Sequence, residues 1–142
     1  MDPSERQIEA TVQFLNMDVD VFGELDRAAL LRGFGDTIFV LHVSEQRAGE
    51  PAISFELSTA SPALPAVISE LVALVRALPD DARAAWNLAT RRVFNIGIQA
   101  GLEPRCTEWA LSAGLLADLV EINAGVTLTL YGADVGPSGA AR

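Results

Sequence analysis

Residues 66–78, AVISELVALVRAL, place Val67, Ile68, Leu71, Val72, Leu74, Val75 and Leu78 at spacings that fall along one broad side of an α-helix. Pro65 and Pro79 bracket the segment as start and stop. A helix with so wide an apolar face has to lie on something flat. The rest of the chain supplies it, in stretches that alternate with a period of two.

The first of these is ATVQFLNMDVDVF, residues 10–22, with Met17, Val19 and Val21 on one side and Asn16, Asp18 and Asp20 on the other. That is the pattern of a half-buried strand, and the loss of phase at Phe14–Leu15 predicts a bulge. A rival pattern over residues 5–15 is a helix with a Ser4–Gln7 capping box and Ile8, Val12 and Leu15 on one face. The β-branched and aromatic residues after residue 10 favour the strand.

LDRAALLRGFG then reads as a short helix, with Asp26 as cap, Leu25 and Leu30 as a staple and a glycine at the end. TIFVLHV, residues 37–43, is apolar on both faces and is expected as a central strand covered on each side. AISFELS alternates, and with RAGEP between the two they predict an antiparallel hairpin. After Pro79, Asp80 is expected to cap DARAAWNLATRR, a helix whose Ala82, Ala85 and Ala89 permit close approach while Trp86 fills volume.

RVFNIGIQAG returns to alternation, with Phe94, Ile96 and Ile98 inward. LEPR turns the chain and CTEWALS is expected to pair back as a strand. A helix over about 113–123 follows, with Ser112 at its start and Gly125 at its end, and VTLTLY closes the fold. The predicted order is β-α-β-β-α-α-β-β-α-β: an α+β domain with an antiparallel or mixed sheet, helices mainly on one face, and ferredoxin-like character. A single domain over residues 8–132 is expected, with flexible tails at 1–7 and 133–142.

No apolar run approaches the ~18 residues of a membrane span, and the N-terminus lacks the basic and apolar segments of a secretory signal. A single cysteine, Cys106, cannot form an internal disulfide, so a cytoplasmic setting without membrane attachment is expected. The charge is lopsided: nineteen acids face ten arginines and no lysine, for a net charge of −9. Residues 1–60 hold eleven of the acids and four of the arginines. Such a half repels phosphate, which argues against nucleic acid and for a basic protein partner.

Without lysine there is no Schiff base and no phosphate-binding Walker lysine. Gly33-x-Gly35 lacks the third glycine of a dinucleotide loop and lies between a helix and a strand, the reverse of the required order. His42 falls in an apolar strand, where a core or edge role is the simpler reading than catalysis. Cys106 beside Arg105 reads as a semi-buried small hydrophobe starting a strand. No cofactor is called for.

The remaining signal is NMDVDVFGELD, residues 16–26, with Asp18, Asp20, Glu24 and Asp26 and no basic residue. A calcium loop counted from Asp18 would put ligands at its fifth and twelfth positions, which are Phe22 and Ala29. That match fails. Asp18 and Asp20 project from one strand face about 6.5 to 7 Å apart, a spacing open to a looser Mg²⁺ or Mn²⁺ site, a catalytic carboxylate pair, a partner surface, or a solvated face. Asn95 and Gln99, flanking Gly97 on the outward side of a later strand, form a second candidate contact, because a strand glycine admits a neighbour closely.

The segment RVFNIGIQAGLEP, then WALS, a helix and VTLTLY, resembles an R-V-F-x-I-G-x-x-x-G-L-E-P pattern of small uncharacterised bacterial proteins. The matching residues include Arg92, Val93, Phe94, Ile96, Gly97, Gly101, Leu102, Glu103, Pro104, Leu111, Ser112 and Tyr131. The resemblance implies an α+β domain of unknown function and supplies no catalytic residue. The charge asymmetry and the absence of catalytic groupings lead to the expectation of a non-catalytic acidic module that masks a basic surface, as immunity-type inhibitors do. A carboxylate- and metal-dependent enzyme, or a homodimer formed through an exposed sheet face or edge, is the alternative.

Overall fold

The computed structural model of the chain describes residues 11–45 and 48–133. Five strands, β1 (Gln13–Phe22), β2 (Ile38–Val43), β3 (Ile53–Leu57), β4 (Arg91–Gln99) and β5 (Gly125–Tyr131), make one sheet in the order β2-β3-β1-β4-β5. The described helices are α1 (Arg27–Phe34), α2 (Leu64–Arg76), α3 (Asp80–Leu88) and α4 (Ala113–Glu121). The first four strands are antiparallel to their neighbours, and β5 runs parallel to β4. Strands β1 to β4 with their helices give the β-α-β-β-α-β arrangement of a ferredoxin-like fold, and α4 carries the chain across to add β5 outside β4.

One face of the sheet holds the core. Met17, Val19, Val21, Ile53, Phe55, Phe94 and Ile96 are buried there against the apolar faces of all four helices. The alternation that defined the strands is therefore also what selects the covered face. Trp86 is fully buried, and its Nε1 donates to the Ile122 carbonyl at 2.8 Å, which satisfies its polar tip. The Phe34 ring lies 4.9 Å from that of Phe55 and edge-on to Trp86 at 6.3 Å. Gly33 lets α1 approach α3: a Cβ there would stand 2.4 Å from that of Ala82.

Several local expectations hold. Asp26 accepts from the Ala29 amide at 3.0 Å, and Ser112 accepts from the Leu115 amide at 3.1 Å. The β1–β4 register slips between Phe14 and Asn16, which makes Leu15 the bulged residue. The predicted tails and the N-terminal half of the rival helix fall, Ala133 apart, outside the described residues.

Others are corrected. Residues 37–43 do not form a covered central strand: β2 is an edge strand, and only Ile38 of it is buried. An apolar run specifies that a strand is not alternating, but not that layers exist to cover both its faces. CTEWALS is not a strand, so the sheet has one strand fewer than predicted. The place beside β4 that it would take is occupied by β1 on one side and β5 on the other. Asp80 lies inside α3 rather than capping it; the residue at the cap position is Pro79, and Asp81 accepts from the Ala82 amide at 2.8 Å. Gly125 opens β5, while Asn123 takes the left-handed conformation after α4, at φ 58°.

Candidate functional site

The helices leave the other face of the sheet open, and its side chains are the polar half of each alternation. The register sets Asp18 opposite Asn95 and Asn95 beside Thr127; Asp20 lies between Ser54 and Val93; Phe39 faces Glu56. Asp18, Asp20 and Glu56 thus gather three carboxylates on two adjacent strands, all half-buried. Burial raises the Asp18 pKa above its ordinary value of 3.8, and the negative charges of Glu56 and then Asp20 push it further.

These acids are held by neutral donors. Ser54 Oγ donates to Asp20 Oδ1 at 2.7 Å, and Asn16 Nδ2 donates to Asp18 Oδ1 at 3.1 Å. Among the described residues the ion pairs are Arg32–Asp81, Arg76–Asp118 and Arg76–Glu121, none of them on this face. At one end of the face Asp20, Asn95 and Thr127 line a shallow groove of about 440 Å³ together with Phe22 and Arg91. The Arg91 guanidinium carbon stacks 4.1 Å from the centre of the Phe22 ring.

Of the residues singled out from the sequence, Asp18, Asp20, Asn95 and Gln99 share this face. Glu24 and Asp26 do not: they follow the end of β1 past Gly23, Glu24 in an exposed turn and Asp26 engaged as the α1 cap. Asn95 Oδ1 accepts from Thr129 Oγ1 at 2.7 Å. The Gln99 amide donates to the carbonyls of Ala100 at 3.1 Å and Gly132 at 3.0 Å, tying the ends of β4 and β5. The space over Gly97 is already taken, since a Cβ there would lie 2.6 Å from Asn16 Oδ1 and 3.5 Å from the Tyr131 ring. That glycine serves the packing of its own sheet and leaves no opening for a ligand.

Glu56 is the member that sequence reasoning missed. AISFELS showed it pointing away from the core, but only the pairing of β3 with β1 brings it to Asp18. His42 is exposed on edge strand β2, opposite Ser54. Cys106 is exposed in an irregular loop, correcting both its expected burial and its strand. That loop is tied through Glu103 to Thr11, at the other end of β1 from Asp20, so Cys106 and His42 are not brought together as nucleophile and base.

No group of three His, Cys, Asp or Glu side chains among the described residues is arranged to hold a metal ion. No described helix is long and apolar enough to cross a membrane. Compared with protein-family models, curated proteins and solved structures, the chain matches none. What the fold and face define is a class: an α+β domain with a ferredoxin-like core, one added parallel strand and an open, acid-bearing sheet face.

Proposed function

We propose that the chain is a non-catalytic protein-binding module whose open sheet face receives a basic surface of a partner protein, in the manner of an immunity-type inhibitor acting in the cytoplasm. The observation that carries this reading is the cluster of Asp18, Asp20 and Glu56, half-buried, with no arginine among the described residues in an ion pair with it. Carboxylates that repel one another in the free protein are relieved when a guanidinium docks between them, and that pair is bidentate and charge-assisted. Ser54, Asn95 and Thr127 add neutral hydrogen-bonding groups, and Phe39, 61% exposed at the edge of the same face, supplies an apolar anchor. The surrounding negative field speeds the encounter and excludes acidic competitors.

An arginine-rich dodecapeptide titrated against the labelled protein tests the reading by amide NMR. The expected result is shifts centred on Asp18, Asp20, Glu56 and their cross-strand neighbours. The triple variant Asp18→Asn, Asp20→Asn, Glu56→Gln is expected to bind at least about tenfold more weakly, roughly 1.4 kcal/mol, with a flatter dependence on salt. Shifts scattered over the surface, or an affinity unchanged in the triple variant, would remove the basis for the proposal.

A further inference from the structure

We infer that the free edge of β5 pairs with the β5 edge of a second copy of the chain, joining two five-stranded sheets across a two-fold axis. The apolar side chains it uses lie on the opposite side of the sheet from the acidic cluster, and the inference does not depend on that reading. Among the described residues β5 is hydrogen-bonded to β4 alone, so its outer row of backbone donors and acceptors is unpaired by any strand. Edge strands are ordinarily guarded by charge, proline or a bulge. The sequence of β5, GVTLTLY, has none of these, and its pairing with β4 runs without a register shift. The other edge, β2, is interrupted by a bulge at Leu41.

The side chains tell the same story. Val126, Leu128 and Leu130 are in register with Phe94, Ile96 and Ile98 and so lie on the core side of the sheet, yet they remain 41%, 66% and 67% exposed. The helix α4, which precedes β5, leaves Leu116 and Val120, one turn apart, 46% and 73% exposed. Together these residues present on the order of 500 Å² of apolar surface, toward the upper end of the largest patch on a monomer and a large part of the roughly 800 Å² per partner in a stable interface.

A second copy fits this edge because the strand is complementary to itself. An antiparallel pairing centred on Leu128 sets Leu128 against Leu128, Val126 against Leu130, Thr127 against Thr129, and Gly125 against Tyr131, every pair on a common face. A one-residue slip would oppose leucine with threonine across the two faces. Charge does not prevent the association. The pairing leaves the β1 strands of the two copies five strand spacings apart, about 24 Å, well beyond the ~8 Å screening length at physiological ionic strength. Both acidic faces stay open.

The test is the mass of the full chain in solution by light scattering between about 1 and 100 μM. The expected mass is twice the 15.1 kDa of one chain at the upper end. Leu128→Glu and Leu128→Lys each place like charges at the two-fold axis and are expected to be monomers with unchanged circular dichroism. Mixed in equal amounts they are expected to recover the doubled mass. In the wild type, hydrogen exchange of the outward-pointing β5 amides should slow as concentration rises. A wild-type chain monomeric throughout would overturn the inference. So would a dimer that survives Leu128→Glu but is lost in Val40→Glu on the β2 edge, a mixture that stays monomeric, or β5 exchange independent of concentration.

Discussion

Asp18 is the residue at which sequence and fold meet, because its position is set by alternation and its energetics by burial together with a strand distant in the chain. Its carboxyl is held above the ordinary 3.8 by burial first, then by Glu56 and Asp20. A carboxyl with a higher pKa folded than unfolded binds its proton more tightly in the folded state, so ionisation costs the fold. That cost is absent below the ordinary value, grows as pH rises through the raised one, and is constant above it. Asp18→Asn is therefore expected to stabilise the protein at pH 7 by a few tenths of a kcal/mol, a figure reduced by solvent screening at this half-open site. The gain should fade as pH is lowered toward 4. Urea melts of both proteins at pH 4 and pH 7 check it, and a variant less stable than wild type at pH 7 would contradict the stated origin of the shift. Glu56→Gln should act in the same direction, and the two gains should add to less than their sum because each relieves the same repulsion.

At the scale of elements, the contact between α1 and α3 is the tightest test of packing. The methyl introduced by Gly33→Ala meets Ala82 Cβ, which is fixed to a helix backbone and cannot swing away, and Leu78 Cδ2 stands only 3.1 Å off. The two helices must separate, at an expected cost of about 1 to 3 kcal/mol, readable as a lower denaturation midpoint with an unchanged slope. Trp86→Phe should cost a comparable amount, because it leaves the buried Ile122 carbonyl without the indole donor. These elements also show what the sequence discloses. The helix with Pro65 in its first turn, the caps Asp26 and Ser112, the bulge at Leu15 and the inward stripe of β1 all follow from local pattern and local hydrogen bonding. The exposure of β2 does not follow, since Phe39, Val40, Leu41 and Val43 would read the same way in a covered strand. The strand expected at CTEWALS failed for a related reason: a competing partner for β4 lay further along the chain, in β5. For the same reason the acidic site was half legible, Asp18 and Asp20 from spacing within one strand and Glu56 only from pairing between strands.

For the whole molecule the governing quantity is the net charge of −9 on a chain of 142 residues with no lysine. The described ion pairs are few and exposed, the closest being Arg76 with Asp118 at 2.8 Å and Glu121 at 2.7 Å, where α2 meets α4. Exposed pairs of this kind contribute little and are themselves weakened by salt. Self-repulsion among the surplus acids, in contrast, acts over the whole surface and favours the expanded chain. Screening both effects should leave the repulsion as the larger one removed. Raising sodium chloride from about 10 mM to 500 mM shrinks the screening length from roughly 30 Å to about 4 Å and is expected to raise the melting temperature by a few degrees. Chloride is the appropriate salt, since sulfate stabilises by exclusion from the surface whatever the charge. Because Leu115, Leu119 and Ile122 lie in the same core as β1 to β4, the added α4–β5 unit should melt with the rest in one transition. Calorimetry at fixed protein concentration reads both effects together. A melting temperature that falls with salt would show that the ion pairs outweigh the repulsion, and a separate early transition would show that β5 and α4 are attached to the core rather than part of it.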